Sequence, residues 1–230
     1  KPKWLFAKNI FFRTERMDEK AVEAKHVLLT EGWDAAKECV KVAPNNINCL
    51  LHMGTLMGRW GTNQGIVKVL TQGDEVEKAW LGAAATKQHY RFPSANTSLG
   101  ATYYGLGIFY RLVPDSWIFN LFFGYRGNIK KTVEYLNRSF ATKNNQIEIH
   151  TELAAANYCQ YKRDDDKAAL KAGHTFVKKC KALKPAGALD VISQTDCGKL
   201  KANPDLGCGY SRDRQQETDV EKLKEAHEKE

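Results

Sequence analysis

Residues 101–127 read ATYYGLGIFYRLVPDSWIFNLFFGYRG and contain a dense set of aromatic side chains. The stretch begins with a helical pattern that contains glycines, breaks at Pro114 and continues as an apolar run to Gly124. This order predicts a helix followed by an apolar loop over 114–124. Such a loop must either pack on its own protein or present an apolar surface to another molecule.

On both sides of this stretch, periodic segments rich in Ala, Lys, Leu and Glu predict an all-α protein. The helical pairs end at Pro44, Pro93, Asn144 and Pro185, which are 49, 51 and 41 residues apart. This period exceeds the roughly 34 residues of a tetratricopeptide repeat. We therefore predict an α/α helical-hairpin superhelix, a tetratricopeptide-like solenoid of about four hairpins. The helices are predicted at 17–31, 33–42, 46–60, 75–90, 94–111, 128–142, 147–161 and 165–183.

The chain divides into three predicted segments. Residues 1–16 are apolar and too short to fold alone, so we expect them to dock on the repeat domain at 17–185. Within that domain we expect Gly32 to end a helix, and 61–73 to form a loop and a short helix. Residues 186–230 are predicted to be an irregular, disulfide-tied segment that ends in a helix at 217–230.

Six cysteines are spread through the chain without a CxxC pair or zinc-finger spacing, which favours disulfides in an oxidising compartment. Cys39 and Cys49 flank the turn at Pro44, so they can come within bonding distance. The other four allow three pairings, and we expect Cys159 or Cys180 to hold the C-terminal segment through Cys197 and Cys208. Buried free thiols remain the alternative.

The formal net charge of +8 is uneven along the chain. Residues 1–185 hold 28 Lys and Arg against 17 acids, whereas 186–230 hold 7 against 10. The basic residues are scattered at helical spacing, and no Arg-rich arm or nucleic-acid motif is present. We therefore predict a solvated basic surface and no nucleic-acid partner.

Motifs that carry chemistry are absent from the sequence. It contains no HExxH, GxSxG, Walker A or dinucleotide-binding pattern, and its six histidines are separated from one another. No nucleophile, base or metal-ligand constellation can be assembled. The prediction is a non-enzymatic protein with no catalytic residue, no metal and no cofactor.

A family resemblance follows from three groups of residues. These are the run Ala101–Tyr110 with Val113 and Pro114 after it, then Lys131, Glu134, Tyr135, Arg138 and Phe140, and finally Ala154, Ala155 and Tyr158. Over about 17–185 the chain resembles the tetratricopeptide-like T component associated with TRAP transporters. It departs from that family in its six cysteines. The element Gly58–Trp60 is similar to one in tetratricopeptide-class regulators of microtubule dynamics. The alternative that the chain is a relative of these cytosolic proteins therefore stays open.

The transporter resemblance implies a periplasmic or otherwise exported protein with an apolar cavity or pore. It implies a substrate-binding or envelope protein as partner, an apolar small molecule or lipid as ligand, and in some members a homo-oligomer. It leaves membrane association through a removed or absent anchor open.

Two functional hypotheses follow for residues 101–127. In the first, the concave face binds an apolar ligand or hands it to a partner. In the second, the same groove binds a peptide or a partner helix as a protein-interaction scaffold. Glycines 100, 105 and 107 indicate close helix approach or a backbone that lines a cavity. The candidate ligand-binding residues are Tyr103, Tyr110, Trp117, Phe119, Phe122, Phe123 and Tyr125.

Overall fold

The part of the chain that the structure describes is mainly helical. In this computed structural model these are residues 2–18, 20–64, 66–92, 96–142 and 146–210, without the side chains of 64, 66–70, 118, 119 and 122. The first helices are α1 Lys3–Thr14, α2 Val22–Val42, α3 Ile47–Gln64, α4 Ile66–Ala85 and α5 Ser98–Leu112. They are followed by α6 Trp117–Phe123, α7 Ile129–Ala141, α8 Ile147–Asp164, α9 Lys167–Ala182, α10 Ala188–Ala202 and a 3₁₀ turn at Pro204–Gly207.

Helices that are close in sequence pack against each other. The main pairs are α1 with α2, α2 with α3, α3 with α4, α5 with α7, and α8 with α9. A single hairpin cannot cover its own apolar side, so each pair is stabilised by the next one in the stack. The prediction of an all-α helical-hairpin superhelix is confirmed.

The first hairpin differs from the prediction at Gly32. This residue does not end a helix, because α2 runs through it from Val22 to Val42. A Cβ atom at Gly32 would lie 2.8 Å from Ile10 Cγ2 and 3.1 Å from Leu56 Cδ2. The glycine therefore permits α1 and α3 to approach α2. The helices predicted at 17–31 and 33–42 form the single helix α2, and α1 packs on it in the first hairpin.

Two further segments are more helical than expected. The prediction of a loop and a short helix at 61–73 is wrong, since α3 continues to Gln64 and the long helix α4 begins at Ile66. An irregular segment was predicted from residue 186. Its first part is instead helical, because α10 occupies Ala188–Ala202. The carboxylate of Asp190 accepts a hydrogen bond from Ala186 N over 2.9 Å at its start. The helix predicted at 217–230 lies outside the described residues.

All six cysteines form disulfides, as predicted. The bonds are Cys39–Cys49, Cys159–Cys208 and Cys180–Cys197. The last two hold the C-terminal segment to α8 and α9. Three disulfides indicate an oxidising compartment, because cytosolic thiols are normally kept reduced.

Helix α5 lies at the centre of the stack. On one side a Cβ at Gly105 would lie 2.8 Å from the Trp80 ring of α4. On the other, a Cβ at Gly107 would lie 2.6 Å from Leu136 Cγ of α7. The glycines of α5 thus serve close helix approach, one of the two roles that the sequence indicated.

Candidate binding surface

The segment after α5 is a closed loop that carries a short helix. The α5 helix begins where Thr97 accepts a hydrogen bond from Gly100 N over 2.9 Å, and it ends at Leu112 before Pro114. Gly127 N donates to Pro114 O over 3.0 Å, so the ends of the loop are bonded together. Instead of the plain loop predicted over 114–124, residues Trp117–Phe123 form α6. Gly124 ends it in the left-handed region, with φ of 76°.

Helix α6 presents two large apolar side chains to solvent. Trp117 is 69% exposed and Leu121 is 70% exposed. They are four residues apart, so they share one face of the helix. On the other side Phe123 packs against the core. Among the described side chains of α6, Phe123 therefore attaches the helix to the core, whereas Trp117 and Leu121 are available for contact.

Two of the predicted site tyrosines belong to the core beneath α6. Tyr110 is 2% exposed and Tyr125 is 3% exposed, in one cluster with Trp80, Leu106 and Phe109. The Phe109 and Tyr125 ring centroids are 5.6 Å apart, and those of Phe123 and Tyr125 are 6.3 Å apart. Their side chains fill the space between α4 and α5.

The other predicted residues are found in different environments: Trp117 is exposed, and Phe123 packs on the core. Tyr103 is half-buried beside Tyr135, with ring centroids 6.1 Å apart. The side chains of Phe119 and Phe122 lie outside the described set. The structure thus separates the exposed pair Trp117 and Leu121 from an aromatic floor formed by Phe109, Tyr110, Phe123 and Tyr125.

The floor also holds a buried polar contact. The Tyr110 hydroxyl donates a hydrogen bond to the Glu77 carboxylate of α4. Burial, followed by Glu77, raises the pKa of the Tyr110 phenol far above its ordinary value. Burial also raises the pKa of Tyr125, with smaller contributions from Asp74 and Glu77. Both phenols therefore stay protonated at physiological pH, and that of Tyr110 acts as a hydrogen-bond donor.

Two cationic side chains of α7 lie over aromatic rings next to this floor. The Lys131 ammonium lies 4.5 Å from the Tyr110 ring centroid, and Arg138 lies 5.5 Å from that of Tyr135. Tyr110 and Tyr135 stack at 5.7 Å. The sequence reasoning did not place Lys131, Tyr135 or Arg138 in the site. Their spacing on α7, four and then three residues, is the signal that could have shown one common helix face.

A shallow depression of about 370 Å³ lies elsewhere, along α9. It is lined by Lys167, Leu170, Lys171, His174, Thr175 and Lys178. A much smaller one, about 10 Å³, lies between Lys25 and Arg59. Neither is lined by the aromatic residues of α5 or α6.

Comparisons add no relative. No protein-family model matches this chain, and no curated protein matches it. Within the described residues, no group of three or more His, Cys, Asp or Glu side chains is arranged to hold a metal ion. No helix in the described ranges is long and apolar enough to cross a membrane.

Proposed function

We propose that the protein is a non-enzymatic helical-repeat binding protein that contacts an apolar peptide or partner helix through α6. One observation carries the proposal: Trp117 and Leu121 are 69% and 70% exposed, side by side on a short helix. A Trp and a Leu on one helical face form an anchor that an amphipathic helix of another protein can cover.

The aromatic floor supports a partner outside α6 rather than a ligand beneath it. The Phe109 ring contacts those of both Trp80 and Tyr125, with centroid distances of 6.2 Å and 5.6 Å. Residues that already pack against each other gain little from a further molecule. Trp117 and Leu121, in contrast, would each gain about 1.5–3 kcal/mol on full burial.

The first test is recovery of the partner from an extract of the source cells with tagged protein. We expect Trp117→Ala and Leu121→Ala each to reduce recovery of a cross-linked partner at least tenfold, because each removes part of the anchor. Val42→Ala is the control, since Val42 is 80% exposed at the end of α2. Equal recovery by all three variants would show that the partner does not bind through α6.

A second candidate function is binding of an apolar small molecule or lipid between α6 and the floor. It is favoured by the apolar core cluster that contains Phe109, on which Phe123 of α6 packs. Displacement of α6 about Gly124 would uncover this floor. Organic extraction of purified protein followed by mass spectrometry should then yield a bound molecule in stoichiometric amount. A protein free of any such molecule argues for the partner helix instead.

We further propose a periplasmic location beside a TRAP-type transporter. The disulfides support an oxidising compartment, and the sequence resemblance supports the transporter partner. Fractionation of the source cells should place the protein in the periplasm, with no reactive thiol in denaturant until a reductant is added. Six reactive thiols in freshly prepared protein would contradict this location.

A further inference from the structure

Helix α1 has apolar side chains on two faces, although only one of them faces the protein. Ala7 and Ile10 are buried on the inner face against α2 and α3. On the outer side Leu5, Phe6 and Phe12 are 37%, 48% and 40% exposed. A helix that only docks on its own protein needs one apolar face. The outer side therefore requires a second explanation.

Within residues 1–14 all charged side chains are positive. Residues 1–14 contain four Lys and Arg and no acid. Arg13 is exposed on the same side as Phe6, and Arg16 follows just beyond the end of the helix. The Lys8 ammonium lies 5.9 Å from the Phe12 ring centroid and 4.2 Å from that of Phe92.

Nearby acids offset only part of this charge. Glu15 is 4% exposed and pairs with Arg59, so it faces inward. Glu38 of α2 pairs with Lys3 at 3.4 Å and with Lys41 at 2.9 Å. Asp18 is exposed after the helix. Over residues 1–20 six Lys and Arg stand against three acids, so this segment carries a net positive charge.

We infer that the outer side of α1, formed by Leu5, Phe6, Phe12 and Arg13, docks on an anionic lipid surface. Exposed aromatic and aliphatic side chains flanked by Lys and Arg are the pattern of helices that lie in the membrane interface. The face is the convex side of a helix, which a flat and deformable lipid surface can cover. A second copy of this chain would bring two cationic helices together and is disfavoured by repulsion.

The test is co-sedimentation of the purified protein with vesicles. We expect binding to vesicles that contain phosphatidylglycerol in phosphatidylcholine, and at least tenfold weaker binding to phosphatidylcholine alone. Raising NaCl from 0.1 M to about 0.5 M should weaken binding, since the attraction is screened over a shorter distance. Absence of binding to the anionic vesicles, or equal binding to both kinds, would overturn the inference.

Variants separate this face from general stickiness. Phe6→Ser with Phe12→Ser should reduce the partition coefficient at least tenfold, and Arg13→Glu should reduce it severalfold. The matched control is Val191→Ser with Ile192→Ser, two residues of α10 that are 53% and 44% exposed. Circular dichroism should show that each variant keeps its helix content. Wild-type binding by the Phe6 and Phe12 variant would assign the interaction to another surface.

Discussion

At the scale of single residues, His52 is a polar group that folding leaves uncompensated. Its side chain is buried, and neither ring nitrogen has a hydrogen-bond partner. The ring stacks on Trp4 of α1, with centroids 6.2 Å apart. Burial, with a smaller contribution from the positive charge of Lys8, lowers the pKa of His52 to about 3.

This histidine should make the protein sensitive to mild acid. The unfolded chain binds the proton more readily, near the ordinary pKa of about 6.5. Stability is therefore full above pH 6.5 and falls as the pH drops toward 3, by about 1.4 kcal/mol per pH unit for this group. We expect His52→Leu to reduce the slope between pH 6.5 and 5 in urea unfolding, and the remaining slope includes His150, whose pKa burial also lowers, to about 4. The control His89→Leu, at an exposed histidine, should leave the slope unchanged.

Some residue-level features could be predicted from the sequence and others could not. The Cys39–Cys49 bond follows from their positions on either side of the turn at Pro44, which is local information. The burial of Tyr110 and Tyr125 depends on how α4, α5 and the loop after α5 meet in space. An apolar pattern shows that such residues need cover, but it does not show whether the cover is the protein itself or a ligand.

At the scale of helices, glycine was the main source of error. Gly32 was expected to end a helix, and the region 61–73, which Gly61 and Gly73 bound, was expected to form a loop and a short helix. In the structure Gly32 and Gly73 lie inside helices at points of close approach, Gly73 beside the Tyr125 ring. Sequence alone does not distinguish a glycine that ends a helix from one that admits a neighbour, because both roles use the missing side chain.

The close-approach role predicts opposite effects for two glycine substitutions. Gly107→Ala should destabilise the protein by about 1–3 kcal/mol, because the new Cβ would lie 2.6 Å from Leu136 Cγ. Gly198→Ala should stabilise it by up to about 1 kcal/mol, since that site in α10 has no neighbour within 4 Å and alanine favours helix. Thermal unfolding of both variants is the measurement. Stabilisation by Gly107→Ala would contradict the packing of α5 on α7.

At the scale of the whole molecule, long-range ties fix the C-terminal segment. Arg111 of α5 is buried and pairs with Glu152 of α8 at 2.7 Å. It also donates a hydrogen bond to the Tyr210 carbonyl oxygen. Cys208 is bonded to Cys159, 49 residues earlier, whereas Cys39 and Cys49 are 10 residues apart.

The two loop lengths predict different losses when disulfides are removed. By chain entropy, Cys159→Ala with Cys208→Ala should cost about 4 kcal/mol, and Cys39→Ala with Cys49→Ala about 3 kcal/mol. Urea unfolding without reductant would measure both. The order of the two losses is the point at issue, and a larger loss for the shorter loop would count against a dominant entropic effect.

The positions of the three bonds have a mechanical consequence. One lies near the start of the helical stack and two lie near its end, so no covalent cross-link joins residues 50–158 to each other. A stack of helices that is cross-linked only near its two ends bends more easily in the part between the cross-links. Any bending that tightens this protein around a partner at Trp117 would therefore be concentrated in this central part of the stack, which includes α4, the helix on which α6 packs.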